Sequence, residues 1–293
     1  MKITDLWKIK KEPTISFELF PARTEKAAEK LSTTIDILAD LNPDFTSVTF
    51  GAGGSTREGS YLLLKKLKEE KHLEVIGYFA GFGLSPAEIL TVLDSYQELG
   101  IENILVVRGD IPRDDDSFSP HPESFRYASD LLAFIRPRYD FCIGVAAYPE
   151  GHIESESLNK DLQYLKLKAD LGAEYIITNY AYDNNFFYAF RDRCLKSGIE
   201  LPITPGVMPI YSEKLMDSLA KLCGASITPE IRQGLAHLPA EDKAAVLDFG
   251  IRFAYQQCKD LLGSDIPGIH IYTMDRHLTV AAVINRLREE GLI

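Results

Sequence analysis

Eight short runs of β-branched and apolar residues alternate with amphipathic stretches, and this alternation constrains the fold more than any other feature of the chain. The runs begin near Ile15 (ISFELF), Asp44 (DFTSVTF), Leu73 (LEVIGYF), Asn103 (NILVVRG), Phe141 (FCIGVAAY), Tyr175 (YIITNY), Pro202 (PITPGVM) and Gly268 (GIHIYT). Between them the spacing predicts helices over 25–39, 86–99 and 158–171. Ser85 before Pro86 suits an N-cap and a first helical turn, and Gly100 and Gly172 suit the position after a helix end. Strand–helix alternation calls for parallel strands joined by right-handed crossovers. Eight such units predict an α/β fold, a closed (β/α)8 TIM barrel rather than an open sheet. The first run is followed by no GxGxxG, which counts against a Rossmann domain. The interval 212–264 is too long for one helix and predicts two or three. The polar, proline-bearing stretch 113–122 reads as an exposed loop. No linker-like composition interrupts the chain, so residues 1–293 read as a single barrel domain.

Charge and cysteines narrow the setting. Lys plus Arg number 32 against 43 Asp plus Glu, a net charge of −11, which repels polyanions and argues against nucleic acid as a partner. No apolar run approaches the roughly 18 residues of a membrane span. The opening residues lack the apolar core of a signal peptide, so a cytoplasmic protein is expected. Cys142, Cys194, Cys223 and Cys258 form no CxxC and are expected to be buried free thiols in a reducing cytoplasm.

Polar residues sit where a barrel core should be apolar, near the C-terminal strand ends that carry active sites in this fold. Glu18 lies inside ISFELF; it either pairs with a basic neighbour or keeps a raised pKa and serves as a proton donor. Arg108-Gly109-Asp110 closes the fourth run, offering one group for an anion and one for a cation, or else a salt bridge at the rim. Ala146 and Ala147 before Tyr148 suit a flat ring lying against backbone, or tight helix–sheet packing. Asn179, Tyr180 and Tyr182 provide amide and aromatic groups for a heterocycle. His270 reads as a satisfied core histidine. No spacing argues for a metal, and no GxSxG or Cys–His arrangement argues for a covalent nucleophile. These residues describe an acidic barrel with an anion- and ring-binding mouth; hydride transfer, lyase and aldol chemistry all remain open.

Taken jointly, SFELFPARTE (16–25), FTSVTFGAGGSTRE (45–58), NILVVRGDIP (103–112), YASDL (127–131), VAAYPEGH (145–152), DLQYLKLKADLGAEYIITNYAYD (161–183), PITPGVMPI (202–210) and PGIHIYTMDR (267–276) resemble the methylenetetrahydrofolate reductase family. The resemblance implies a flavin-containing barrel that reduces 5,10-methylenetetrahydrofolate to 5-methyltetrahydrofolate with electrons from NAD(P)H through FAD, a role in one-carbon metabolism and methionine biosynthesis. Glu18 matches the family's general acid and Asp110 its aspartate near flavin and pterin. The implied flavin positions are Thr49, Arg108, Gly109, Asp110, Tyr127 and Ala128, with Ala146, Tyr148, His152, Asp161 and Lys168. Arg108, His152 and Lys168 would offset the diphosphate. Asn179 and Arg276 join Glu18 on the folate side. Tyr78-Phe79-Ala80-Gly81 stands where the family usually carries His-Leu-Thr-Cys, which places Tyr78 beside the flavin. Asn179 replaces the usual glutamine, and Asp275 the usual asparagine. These departures keep two other functions open: a flavin-free reductase with direct hydride transfer, and a flavin- or folate-binding subunit of a larger redox complex. A homo-oligomer is equally compatible with the sequence.

Overall fold

The computed structural model describes residues 1–22, 24–50, 54–110, 118–239 and 242–293. Eight parallel strands close into one barrel in chain order: β1 (Thr14–Leu19), β2 (Phe45–Val48), β3 (Val75–Ala80), β4 (Asn103–Val107), β5 (Cys142–Ala147), β6 (Tyr175–Tyr180), β7 (Ile203–Val207) and β8 (Gly268–Tyr272). The closing pair sets Ser16 against His270 and Glu18 against Tyr272, while the β1–β2 pair sets Glu18 against Ser47. The expected α/β barrel is therefore the observed one. Of the 113–122 loop, residues 113–117 fall outside the described residues.

The helices start where side chains satisfy free N–H groups. Thr24 caps α2 (Glu25–Asp40), and Ser157 caps α6 (Leu158–Asp170). Ser85 and Glu88 form a reciprocal capping box on α4 (Pro86–Glu98), with Pro86 in its first turn. Gly100 and Gly172 follow their helices with φ of +71° and +101°. The interval before β8 holds three helices, α8 (Glu213–Cys223), α9 (Pro229–Ala236) and α10 (Lys243–Leu262). The remaining crossovers carry α3 (Gly54–Lys65), which runs on into a π turn at Lys66–Glu70, α5 (Ala128–Ile135) and α7 (Asn184–Lys196), and α11 (His277–Glu289) follows β8. No helix among the described residues is long and apolar enough to cross a membrane.

Alternation along the strands sorts side chains into two cores. Ile15, Phe17 and Leu19 point outward and join Leu31, Ile35 and Leu38 of α2 in the shell between strands and helices. Phe45, Ile76, Leu105, Cys142 and Tyr175 point inward and fill the lower barrel. That end is plugged by α1 (Ile3–Ile9), a helix with no signal in the local residue pattern. A seven-residue helix is too short to persist alone and depends on docking. The Ile3 N–H donates to Asn103 Oδ1 at 2.8 Å, and the Trp7 indole N–H donates to Thr14 Oγ1 at 2.9 Å. Trp7 also meets Phe45 and Tyr175 edge-on. Cys142, Cys194 and Cys258 are buried free thiols; Cys223 is half-buried. A groove of about 600 Å³ opens at this same plugged end, between Trp7, Pro13, Arg191 and Pro267. It lies across the barrel from the groups that carry chemistry.

Candidate active site

At the opposite end the inward-facing residues turn polar. Glu18 is 4% exposed on β1. Burial, with a smaller push from Asp275, raises its carboxyl to about 8, while a hydrogen bond with Tyr78 pulls it down. Its partner is thus a phenol from β3 rather than a basic side chain. The Tyr78 hydroxyl also hydrogen-bonds Ser47, and burial next to Glu18 pushes that phenol well above its ordinary value. One layer below, His270 is fully buried between two hydroxyls, with Nδ1 2.8 Å from Ser16 Oγ and Nε2 3.2 Å from Ser47 Oγ. Burial drives the ring down to about 3, so it is neutral: a satisfied core histidine.

Asp275 follows β8 in a left-handed conformation, φ +54°, directly after Met274 at +47°. Such backbone is uncommon for residues other than glycine and costs on the order of 1 kcal/mol or more each. The Thr273 hydroxyl ties this turn to β1 by donating to the Glu18 carbonyl at 2.6 Å and accepting the Asp275 N–H at 3.1 Å. Asp275 Oδ1 accepts the Phe20 N–H at 3.3 Å, and burial raises its carboxyl to about 6. Two carboxyls are therefore held at neighbouring strand ends, and the charge of Asp275 opposes ionisation of Glu18.

A second cluster gathers at the ends of β4, β5 and β6. Lys168 of α6 reaches inward and donates to the Ala146 carbonyl at 2.8 Å. Burial lowers its ammonium to about 8, against the pull of Asp161. Burial raises Asp161 in turn, offset by the His152 N–H and by the charges of Lys168, His152 and Arg193. His152 stands edge-on to Tyr148, centroids 4.6 Å apart, and burial pushes the Tyr148 phenol to about 12. The guanidinium of Arg108 makes a two-pronged bond with Glu154, at 2.5 and 3.1 Å, rather than bridging to exposed Asp110. Gly109 between them has φ +91°, and a Cβ there would approach that of Ala80 to 2.9 Å, so glycine is required.

On β6 the ladder with β7 slips between Ile177 and Tyr180. Gly206 makes the slip possible, because a Cβ there would lie 2.2 Å from the Thr178 carbonyl oxygen. That carbonyl accepts the Tyr272 hydroxyl at 2.8 Å, and Gly206 N–H donates to the Thr178 hydroxyl at 3.0 Å. Such irregularities re-aim side chains, and this one holds half-buried Asn179 at the strand end.

Of the positions singled out from sequence, Glu18 and Tyr78 make one group, and Ala146, Tyr148, His152, Asp161 and Lys168 make another. Arg276 is exposed and lies 5.6 Å from the Tyr211 ring centroid, and Thr49 follows β2 with its N–H on the Leu19 carbonyl. Tyr127, the residue before Ala128 at the start of α5, stands apart, 52% exposed. Three participants carried no signal in isolation: Ser47, Glu154 and Arg193. A serine on an inward strand position, two residues from a mouth, is a readable cue only once the register with Glu18 is known.

A profile of the family described as methylenetetrahydrofolate reductase matches residues 2–288. The 5,10-methylenetetrahydrofolate reductase of Escherichia coli (strain K12) is 35% identical over 262 residues, covering 89% of this chain and 86% of that protein. Methylenetetrahydrofolate reductase (NADH) 1 of Arabidopsis thaliana is 35% identical over all of this chain, and methylenetetrahydrofolate reductase 1 of Schizosaccharomyces pombe 34% over 98% of it. The chain spans about half the length of those two eukaryotic relatives. A Clostridium thermocellum protein whose structure binds two copies of 5-methyl-5,6,7,8-tetrahydrofolic acid shares the fold, with a TM-score of 0.61 at 18% identity over 98% of each chain. With a match running almost from end to end and the barrel in place around it, the chain belongs to the methylenetetrahydrofolate reductase family.

Proposed function

We propose that this chain reduces 5,10-methylenetetrahydrofolate to 5-methyltetrahydrofolate, with NAD(P)H as electron donor and FAD as bound cofactor, as one catalytic domain in the cytoplasm. The observation that carries the reading is Glu18. A carboxyl whose pKa is raised to about 8 still holds its proton near neutral pH, as an acid must if it is to protonate a folate nitrogen and open the five-membered ring. Asp110, exposed at the mouth, offers a negative charge that favours the resulting iminium cation. Asn179 and Arg276 supply polar contacts on the folate side.

The second cluster fits a flavin dinucleotide. Lys168 brings a buried positive charge to the end of β5, with His152 beside it, inside a chain whose net charge of −11 would otherwise repel a diphosphate. Arg108 is engaged by Glu154, but a half-exposed ion pair contributes only on the order of 1 kcal/mol or less and exchanges readily for a phosphate. Thr49, Gly109, Tyr127, Ala128, Ala146, Tyr148 and Asp161 complete the proposed cofactor side. FAD, when bound, would supply hydride transfer to the folate methylene carbon.

The test is an absorbance spectrum followed by turnover. The purified protein is expected to be yellow and to sustain NAD(P)H oxidation over many turnovers when methylenetetrahydrofolate is supplied. Flavin-replete protein without folate turnover would refute the reading. A colourless preparation that turns over would replace it with direct hydride transfer from nicotinamide. Turnover that requires an added subunit would assign the chain to a larger redox complex.

A further inference from the structure

The guanidinium of Arg108 is held on two sides just beyond β4. Its Nε–H donates to the Gly109 carbonyl at 3.2 Å, while Nη1 and Nη2 donate to the two oxygens of Glu154 at 2.5 and 3.1 Å. A guanidinium takes a phosphate with the same fork. Glu154 is the more exposed partner, 59% against 35%. The loop after β5 that carries it is fixed without the pair. Glu154 N–H donates to His152 Nδ1 at 3.1 Å, His152 N–H to Asp161 Oδ2 at 3.3 Å, and Arg193 Nη2 to the Pro149 carbonyl at 2.9 Å. The Glu154 carboxylate can therefore turn into solvent by side-chain rotation while the loop stays in place. Arg108 meanwhile keeps its Gly109 bond, so the freed fork keeps its aim.

We propose that Glu154 is an internal stand-in for the diphosphate of a dinucleotide: it fills the Arg108 fork in the ligand-free protein and is exchanged for phosphate oxygens on binding. That the dinucleotide is FAD rests on the function proposed above; the exchange itself requires only a diphosphate. No covalent bond changes and no proton moves, because one charge-assisted pair replaces another. Glu154 thereby sets both affinity and selectivity at this position. A fork already filled lowers the fraction of binding-competent protein, and apparent affinity falls by that fraction. For a half-exposed pair the reduction is roughly two- to fivefold. An anion that offers a single oxygen cannot replace the two bonds it must break, whereas a phosphate can.

Titration calorimetry of flavin-free protein with FAD, riboflavin and ADP reads the exchange without turnover. Glu154→Gln is expected to bind FAD and ADP roughly two- to fivefold tighter and riboflavin, which has no phosphate, unchanged. Added salt should weaken FAD binding more steeply in the variant, because in the wild type salt also loosens the competing pair. Glu154→Asp keeps the charge but, one methylene shorter on the same pinned backbone, stops short of the fork; it should tighten FAD binding as well. In an Arg108→Met background the gain from Glu154→Gln should vanish. A gain that persists there, or one seen with Gln but not with Asp, would come from lost charge repulsion and overturns the proposal. Unchanged or weaker binding in Glu154→Gln overturns it too, since the pair would then survive in the complex. ADP binding that tightens in a protein that takes no FAD sinks the flavin reading and leaves the exchange standing. A protein that binds neither refutes both.

Discussion

Glu18→Gln separates the two demands that the barrel makes of one residue. The carboxyl rises from 4.5 to about 8 on folding, so at pH 7 about nine-tenths of it is protonated. In the unfolded chain the same group is ionised above about 4.5. The native state therefore binds more protons than the unfolded state between those values, and stability falls as pH rises from 4.5 towards 8. Over the ~2.5 units up to pH 7, at about 1.4 kcal/mol each, the buried acid costs up to about 3 kcal/mol. Glutamine keeps the shape and never ionises, so most of that cost disappears, at a Tm gain of roughly 5 °C or more. It has no proton to give, so folate reduction should fall by about 10²-fold or more. The assays are a thermal melt across pH 5–9 and separate stopped-flow half-reactions. In the melts, the gap between variant and wild type should widen with pH and level off near 8. Reduction of the protein by NAD(P)H should change little. A variant that melts lower and loses both half-reactions equally would show that Glu18 is structural, and the argument from its burial would be wrong.

Two further substitutions probe the groups around it. Asp275→Asn keeps a side chain that tolerates φ +54° and accepts the Phe20 N–H, but removes the charge that opposes Glu18 ionisation; the alkaline limb of folate reduction should move to lower pH, and an unmoved limb would show that the two carboxyls do not interact. Lys168→Met removes the buried ammonium at the Ala146 carbonyl, so FAD affinity in a fluorescence titration should fall by about tenfold or more while the ligand-free melt is not lowered; unchanged affinity would place the diphosphate elsewhere.

The barrel was legible because its signals are local and repeated. Period-two runs, Ser85 with Pro86, and glycines after helix ends each act within a few residues, and together they set strand number and most helix limits. α1 escaped because its stability comes from contacts that are remote in sequence, Ile3 with Asn103 and Trp7 with Phe45 and Tyr175. The site divides along the same line. Glu18 was conspicuous as a carboxyl inside an apolar run, and that oddity is itself a statement about burial. Its partner was not legible, because which hydroxyl faces it depends on how β1, β2, β3 and β8 come into register around the closed sheet. Arg108 shows the converse: Asp110, two residues on, suggested an ion pair, yet the guanidinium turns to Glu154, 46 residues on, beyond β5. Both residues lie beyond the end of β4 with Gly109 at φ +91° between them, so the strand rule that sets positions i and i+2 on one face no longer holds there, and a loop from the next strand reaches the guanidinium instead. For a closed barrel the readable quantity is which residues occupy the mouth, and the pairing among them is set by the register of strands that lie far apart in the chain.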